Sequence, residues 1–445
     1  MQKELDNLPG NFCYYAMQGY STHPHGRTRP CCFSRVGTNE YMPDVDIHNI
    51  PEWEHHNNRN SKNINEFIND AAIKNIRKAL VAGEKPAGCA ECFKLEDQGI
   101  RSFRQTFNEV YADEIDSSLQ HLEQDGSLNP QAITYLDISL GNVCNLKCRS
   151  CNPWASHNWI EEGPTVPHTD WDKTAYTIGN MSCKDPWYIA AFETGFFDEV
   201  LPNVKRINFI GGEPLVVKEH YTWLRHIAQN GWAENIELHY NTNATTFPNE
   251  LLDLWSMFKG IVLSISIDAV EDLAYYVRFP SKWRVIQKQV NKLKEFSKDK
   301  KGVTVQTHVT LSVLNLHDLP NVLAWCEDNY NTWHHTWEWG NWGYQNCLPH
   351  FNFVEWPQNM SIKHLPEKQK HKMITMLDEQ YAKFAAKNLP EWEQHSIENI
   401  KGIKNILTQP RDNTMWQHFI DNTRASDNFR SVDICDYIPW MEEYI

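Results

Sequence analysis

From residue 133 onwards the chain alternates short strand-like runs with helix-like stretches, and this alternation constrains its fold more than any other feature. The runs are ITYLDISL from residue 133, VKRINFI from 204, IELHYN from 236, IVLSISID from 261 and VTVQTHVTL from 303, with a weaker sixth at HTWEWGNW from 335. Each has the length and the β-branched or alternating character of a strand. Between several of them apolar residues recur at helical spacing, as at Trp283, Ile286, Val290 and Leu293, and again at Leu319, Val322, Leu323 and Cys326. A helix between successive strands carries the chain back to the same end of the sheet, so the sheet is expected to be parallel. Six units are too few to close an eightfold barrel. The expected class is therefore α/β, a partial (β/α)6 barrel with a lateral mouth.

Residues 120–132 (QHLEQDGSLNPQA) carry Gly, Asn, Pro and charge without an apolar period and read as a connection. They separate a cysteine-rich N-terminal module (residues 1–125) from the barrel (133–357). Inside that module Ile64, Phe67, Ile68, Ala72, Ile76 and Leu80 predict a helix, which Gly83 and Pro86 stop just before Cys89. Residues 358–445 read as a helical extension, with Met373, Ile374, Leu377, Tyr381 and Phe384 on one face and no chemistry to assign. The chain shows no internal repeat or low-complexity tract.

A chain of 445 residues with 41% hydrophobic and 22% charged residues is globular in composition. No apolar run approaches the roughly 20 residues of a spanning helix, and MQKELDNLPGN lacks a secretory apolar segment, so a cytoplasmic location is expected. A net charge of -15 disfavours bulk nucleic-acid binding. In a reducing compartment twelve cysteines point to metal ligation rather than disulfides.

Directly after the first barrel strand comes GNVCNLKCRSC, which puts Cys144, Cys148 and Cys151 on a loop at a strand's C-terminal end, where such folds keep their active sites. A structural zinc or an ordinary 4Fe-4S cluster takes four protein ligands, and this loop offers three. A cube held by three thiolates leaves one iron open to a chelating small molecule. The alternative is a zinc knuckle that recruits further ligands from elsewhere. The Cys-x3-Cys-x2-Cys loop after the first strand of a βα array resembles the radical SAM superfamily, which uses S-adenosylmethionine at such an iron.

That resemblance extends along the next strands. The second ends in Gly211, Gly212, Glu213 and Pro214, similar to the family's GGEP turn, where glycines admit the ligand and a carboxylate would accept from the methionine ammonium. The third ends in Thr242 and Asn243. After the fourth come Ser266 and, further on, Arg278, which the resemblance places near the SAM ribose or carboxylate. Family members often carry an aromatic residue before the third cysteine to pack on adenine; here it is Ser150.

In the N-terminal module Cys13, Gly26 and Cys31 follow a spacing that resembles the opening of SPASM and twitch auxiliary-cluster modules, with Cys32 adjacent and Cys89-Ala90-Glu91-Cys92 further on. Those modules more often follow the barrel than precede it. Pro24-His25-Gly26-Arg27 reads as a hairpin turn that folds Cys31 back towards Cys13. The expected second site is a 4Fe-4S cluster held by Cys13, Cys31, Cys89 and Cys92, with Cys32 as the rival for the second place and tetrahedral zinc as the alternative metal. Glu96, Gly99, Ser102 and Arg104 continue the likeness.

Other signals are bland. Trp333, His335, Trp337 and Trp339 share one face of the sixth run, with His334 and Glu338 opposite, and suit packing or a cavity wall. Cys183, Cys326, Cys347 and Cys435 are isolated. The resemblance implies reductive cleavage of S-adenosylmethionine to a 5′-deoxyadenosyl radical that takes a hydrogen from a peptide or protein side chain, with flavodoxin or ferredoxin as electron donor. An aminocyclitol-like small molecule, an RNA or a non-enzymatic zinc scaffold are the alternatives.

Overall fold

The structure is a computed structural model that describes residues 11–26, 28, 29, 31, 32, 34, 63–97, 102–115, 119–169, 171, 173–184, 186–300, 302–330, 348–354, 356–387 and 391–445. Its centre is one eight-stranded sheet: β1 (Gly19–Thr22), β2 (Thr28–Arg29), β3 (Tyr135–Ser139), β4 (Arg206–Ile210), β5 (Glu237–Thr242), β6 (Gly260–Ser266), β7 (Val303–Leu311) and β8 (His350–Phe353). The spatial order is β2-β1-β3-β4-β5-β6-β7-β8. From β3 to β8 every neighbouring pair is parallel, as a βα array requires. The five stronger runs of the sequence thus become β3 to β7 of a partial barrel. The weak sixth, including Trp333, His334, His335, Trp337, Glu338 and Trp339, lies outside the described residues, as does Cys347; the strand that follows β7 in the sheet is His350–Phe353.

The strand faces differ sharply. Leu136, Ile138, Ile207, Phe209, Leu238, Tyr240, Leu263 and Ile265 are fully or almost fully buried and belong to one continuous apolar core under the helices. The opposite face presents polar groups in register: Asn208 donates to Asp137 at 2.9 Å, and Gln306 donates to Ser264 at 2.7 Å. An apolar outside and a polar inside follow from the period-2 geometry of strands.

The sheet does not stop at residues 120–132. β1 pairs in parallel with β3 through Gly19↔Tyr135 to Ser21↔Asp137, and β2 turns back antiparallel on β1. Gly26, at φ 91°, makes that turn, and its N–H donates to His23 C=O at 2.8 Å. A second, smaller core joins Phe12, Cys13, Tyr15, Leu80, Phe93 and Phe107 to Tyr135 of β3. The single helix expected over residues 64–80 is two, Ile64–Ile68 and Ala71–Val81, because the Asp70 carboxylate accepts from the Ala72 N–H and starts a new helix after Asn69.

Beyond the barrel, the helices Glu367–Ala385, Glu391–Leu407 and Asn413–Arg430 follow. Among the described residues no helix is long and apolar enough to cross a membrane.

Candidate metal centre

The loop after β3 is held from several directions. Leu140 N–H still reaches Ile210 C=O at 2.8 Å, and Gly141 then turns at φ 66°, where a Cβ would come within 2.7 Å of Ser182 C=O. The Asn142 amide donates to Pro153 C=O at 2.8 Å and Gly179 C=O at 2.9 Å, which pins the base of the loop. Cys144 N–H donates to His157 Nδ1 at 3.2 Å, and Asn158 donates to Cys144 C=O at 2.8 Å. The Trp159 indole N–H donates to Cys148 C=O at 3.0 Å. On the other side Lys147 N–H and Arg149 N–H donate to Phe279 C=O at 2.7 Å and Val277 C=O at 2.9 Å. Preorganised backbone of this kind fixes where three side chains point.

Of those thiols Cys144 is buried, and Cys148 and Cys151 are half-buried. Burial pushes Cys144 and Cys148 above the ordinary thiol range and Cys151 up to about 12. Cys148 and Cys151 each add to the rise at Cys144, and Cys148 to that at Cys151, so the three stand within electrostatic reach of one another. Arg278 and Arg430 oppose the rise at Cys148 and Cys151. Three neighbouring thiols that resist ionisation together are a donor set a soft cationic group would satisfy, since its charge takes the place of three protons. Among the described residues no three His, Cys, Asp or Glu side chains converge as ligands of one ion would.

The turn after β4 lies directly on the cysteine loop. Gly212 N–H donates to Gly141 C=O at 3.0 Å and Glu213 N–H to Val143 C=O at 2.8 Å. A Cβ on Gly212 would sit 2.3 Å from Val143 C=O, and one on Gly211, at φ 122°, 2.6 Å from Gly141 C=O, so both glycines are required by contact. Glu213 behaves differently from the outward-reaching acceptor expected of it. It is 1% exposed, and its oxygens already accept from Leu215 N–H at 3.1 Å, Thr242 Oγ1 at 2.7 Å and Asn243 N–H at 2.6 Å. Burial raises its carboxyl, while the donors from Asn243, Thr242 and Leu215 hold it down. It ties β4 to the end of β5, with about one lone-pair position left.

Asn243 turns its amide to Asn145 Oδ1 at 2.8 Å, inside the cysteine loop, and lies 4.0 Å from Cys144 Sγ. Ser266, at the end of β6, is half-buried. Arg278 is held by Asp268 at 2.6 Å, and Asp268 in turn accepts from Thr310 N–H at 2.7 Å. Burial opposes the Arg278 charge, yet Cys148, Asp268 and Cys144 outweigh it and keep the guanidinium firmly protonated.

In the N-terminal module burial pushes Cys13 up to about 11 and Cys89 to about 12, and raises Cys92 and Cys32 too. Cys92 contributes at Cys13, Cys89 and Cys32, and Cys13 at Cys89, so Cys92 stands within electrostatic reach of the other three. Cys31 is half-buried and, with Cys32, stands near Tyr15. The Cys92 thiol accepts from the backbone of Arg104 and Phe103. Arg104 forks onto Glu96 at 3.0 and 2.7 Å and donates to Phe12 C=O at 2.7 Å, while Ser102 caps the helix Phe103–Val110. Gly99 lies outside the described residues. Cys183 is half-buried beside Asn180 C=O, Cys326 sits in the main core, and Cys435 is half-buried.

Sequence reasoning missed the ring of charge around the cysteine loop. Arg149 ion-pairs with Asp427, and Lys147 and Arg430 share Glu162, at 3.0 and 2.8 Å. Asp427 and Arg430 belong to the helix Asn413–Arg430, where nothing local distinguishes buried charges from solvated ones.

Residues 138–326 match the profile described as the Radical SAM superfamily. A GTP 3′,8-cyclase of Campylobacter lari is 27% identical over 147 residues, 33% of this chain and 38% of that protein. The chain thus spans well under half the length of this curated relative. Among solved structures, Streptococcus suis SuiB bound to S-adenosylmethionine is 14% identical, covering 54% of this chain and 48% of that one, with a TM-score of 0.28. Native anSMEcpe with bound AdoMet is 13% identical, covering 57% and 61%, with a TM-score of 0.35. The matched segment runs from β3 through the three-cysteine loop into the helix after β7.

Proposed function

We propose that this protein is an enzyme that cleaves S-adenosylmethionine reductively at a 4Fe-4S cluster on Cys144, Cys148 and Cys151 and abstracts a hydrogen from a peptide or protein side chain. The observation that carries the reading is three thiols within electrostatic reach of one another on one loop whose backbone is hydrogen-bonded to the Gly211-Gly212 turn and to Glu213. Held by these three cysteines, the cluster would supply the one-electron reduction that splits S-adenosylmethionine into methionine and a 5′-deoxyadenosyl radical.

The chain's own residues bind and orient. Gly211 and Gly212 keep the turn's backbone bare, so that its carbonyls rather than the engaged Glu213 carboxylate accept from the methionine ammonium. Arg278, fixed by Asp268, offers its remaining donors to the methionine carboxylate, and Asn243 and Ser266 line the ribose side. Asn208, Asn241, Ser264 and Gln306 give the sheet's inner face a hydrophilic lining for the substrate's polar groups. Cys13, Cys89, Cys92 and one of Cys31 or Cys32 hold a second 4Fe-4S cluster, and flavodoxin or ferredoxin is the electron donor.

The test is anaerobic: protein reconstituted with iron and sulfide, reduced with dithionite, and given S-adenosylmethionine. Chromatography is expected to show 5′-deoxyadenosine and methionine in equal amounts. Full iron loading with no deoxyadenosine would contradict the reading.

A further inference from the structure

Arg430 is buried in a way its ion pair does not explain. Its side chain is fully enclosed, and its Nε donates to both oxygens of Glu162 at 2.8 and 2.9 Å. Glu162, equally enclosed, already pairs with Lys147. The two terminal nitrogens, Nη1 and Nη2, are buried and have no hydrogen-bond partner among the described residues. Folded proteins rarely leave buried donors in this state, least of all on a cation, unless something else is to receive them.

The surroundings show where such a receiver would lie. The guanidinium sits 5.1 Å from the ring centres of both Trp159 and Phe279. Each is tied to the cysteine loop, Trp159 through its indole N–H on Cys148 C=O and Phe279 through its C=O on Lys147 N–H. Arg430 is therefore clamped between the two residues that hold the backbone on either side of Cys148. Its charge favours ionisation of Cys148 and Cys151, and Cys148 in turn supports the charge of Arg430 against burial.

Building on the function proposed above, we infer that Arg430 is a positioning residue whose free guanidinium nitrogens donate to the sulfurs of the cluster at Cys148, so that the last long helix sets how readily that cluster accepts an electron. N–H donors and positive charge beside cluster sulfurs stabilise the more negative, reduced form and raise the potential. The C-terminal extension, which sequence gives no chemistry, then becomes part of the redox site.

The test is a redox titration of reconstituted full-length protein, followed by the EPR signal that changes on adding S-adenosylmethionine, with iron and sulfide counted beforehand. Arg430→Gln is expected to keep its iron but lower the ratio of reduced to oxidised cluster at a fixed potential about tenfold, equivalent to about 59 mV for one electron. Arg430→Lys keeps the ion pair with Glu162 but loses the fork of donors, and is expected to lower the ratio about threefold. A lysine variant equal to the parent, with iron intact, would overturn the inference however the glutamine variant behaves. A parent protein that binds no cluster would instead overturn the function it rests on.

Discussion

Arg149, one residue after Cys148, forms a buried ion pair with Asp427, 278 positions further along the chain. The pair is built into a small lattice. Arg149 Nε donates to Tyr276 C=O at 3.1 Å and its guanidinium lies 3.7 Å from the centre of the Tyr276 ring. The Tyr276 hydroxyl donates to Asp427 at 3.0 Å, and Ile434 N–H donates to the other carboxylate oxygen at 2.9 Å. The last long helix is thus fastened to the loop that carries the three thiols.

Removing one partner of this pair should be costly. Asp427→Asn leaves the Arg149 cation buried without its counter-charge, and we expect a loss of about 3–5 kcal/mol in unfolding free energy, read from the urea midpoint. Replacing both residues, as Arg149→Met with Asp427→Leu, should recover most of that loss.

The turn after β4 tolerates no side chain. Gly212→Ala places a methyl 2.3 Å from Val143 C=O, a backbone atom that cannot swing away. Relief requires shifting the cysteine loop, at a cost of about 1–3 kcal/mol. Lower iron retention at the three-cysteine site than in the parent is the expected result, measured on the reconstituted proteins; Gly231→Ala, where no atom lies within 4 Å but φ is 76°, serves as the strain control.

Stability should fall in mild acid through buried histidine. Burial holds His220 neutral, with its pKa lowered to about 3, while its Nδ1 lies 2.5 Å from Val217 C=O and its Nε2 3.4 Å from the Tyr240 hydroxyl. Its folded pKa lies below the unfolded value of about 6.5, so the unfolded chain takes up the proton first. The contribution to stability is whole above about pH 6.5 and is lost as pH falls towards 3. For this one group the loss between pH 7 and 5 is about 2 kcal/mol. Urea midpoints of the apoprotein across that range should show it, and His220→Gln should flatten the slope.

The N-terminal thiols make a separate prediction. Cys31 and Cys32 are equally half-buried and both stand near Tyr15, while Cys92 acts electrostatically on Cys32, so Cys32 is the fourth ligand to test first beside Cys13, Cys89 and Cys92. Cys32→Ala should then lower iron content by about four per chain, whereas Cys31→Ala should retain it. The reverse pattern would give the place to Cys31.

Much of the barrel was legible because each of its longer strands carries its own apolar face. ITYLDISL, IVLSISID and VTVQTHVTL announce burial residue by residue, and the structure places strands inside all three. β1 was not legible: Gly-Tyr-Ser-Thr is short and polar, and it becomes a strand only because β3 offers it a partner. His350–Phe353 is equally short and half-exposed. The break at Asn69–Asp70 escaped because the apolar period runs through it, although Asp70 before Ala71 is a cap signal that could have been read. The cysteine loop stood out by spacing alone. Its clamp by Asp427 and Arg430 could not, since buried and exposed charges on a helix look alike until the partner is known.

The central claim is that Cys144, Cys148 and Cys151 together hold an iron-sulfur cluster with one iron open to S-adenosylmethionine. Iron and sulfide counts on anaerobically reconstituted parent and Cys144→Ala protein, paired with assay of 5′-deoxyadenosine, test it most directly. The account predicts that the variant loses about four irons per chain and all deoxyadenosine formation. A variant that keeps both the iron and the product would contradict it.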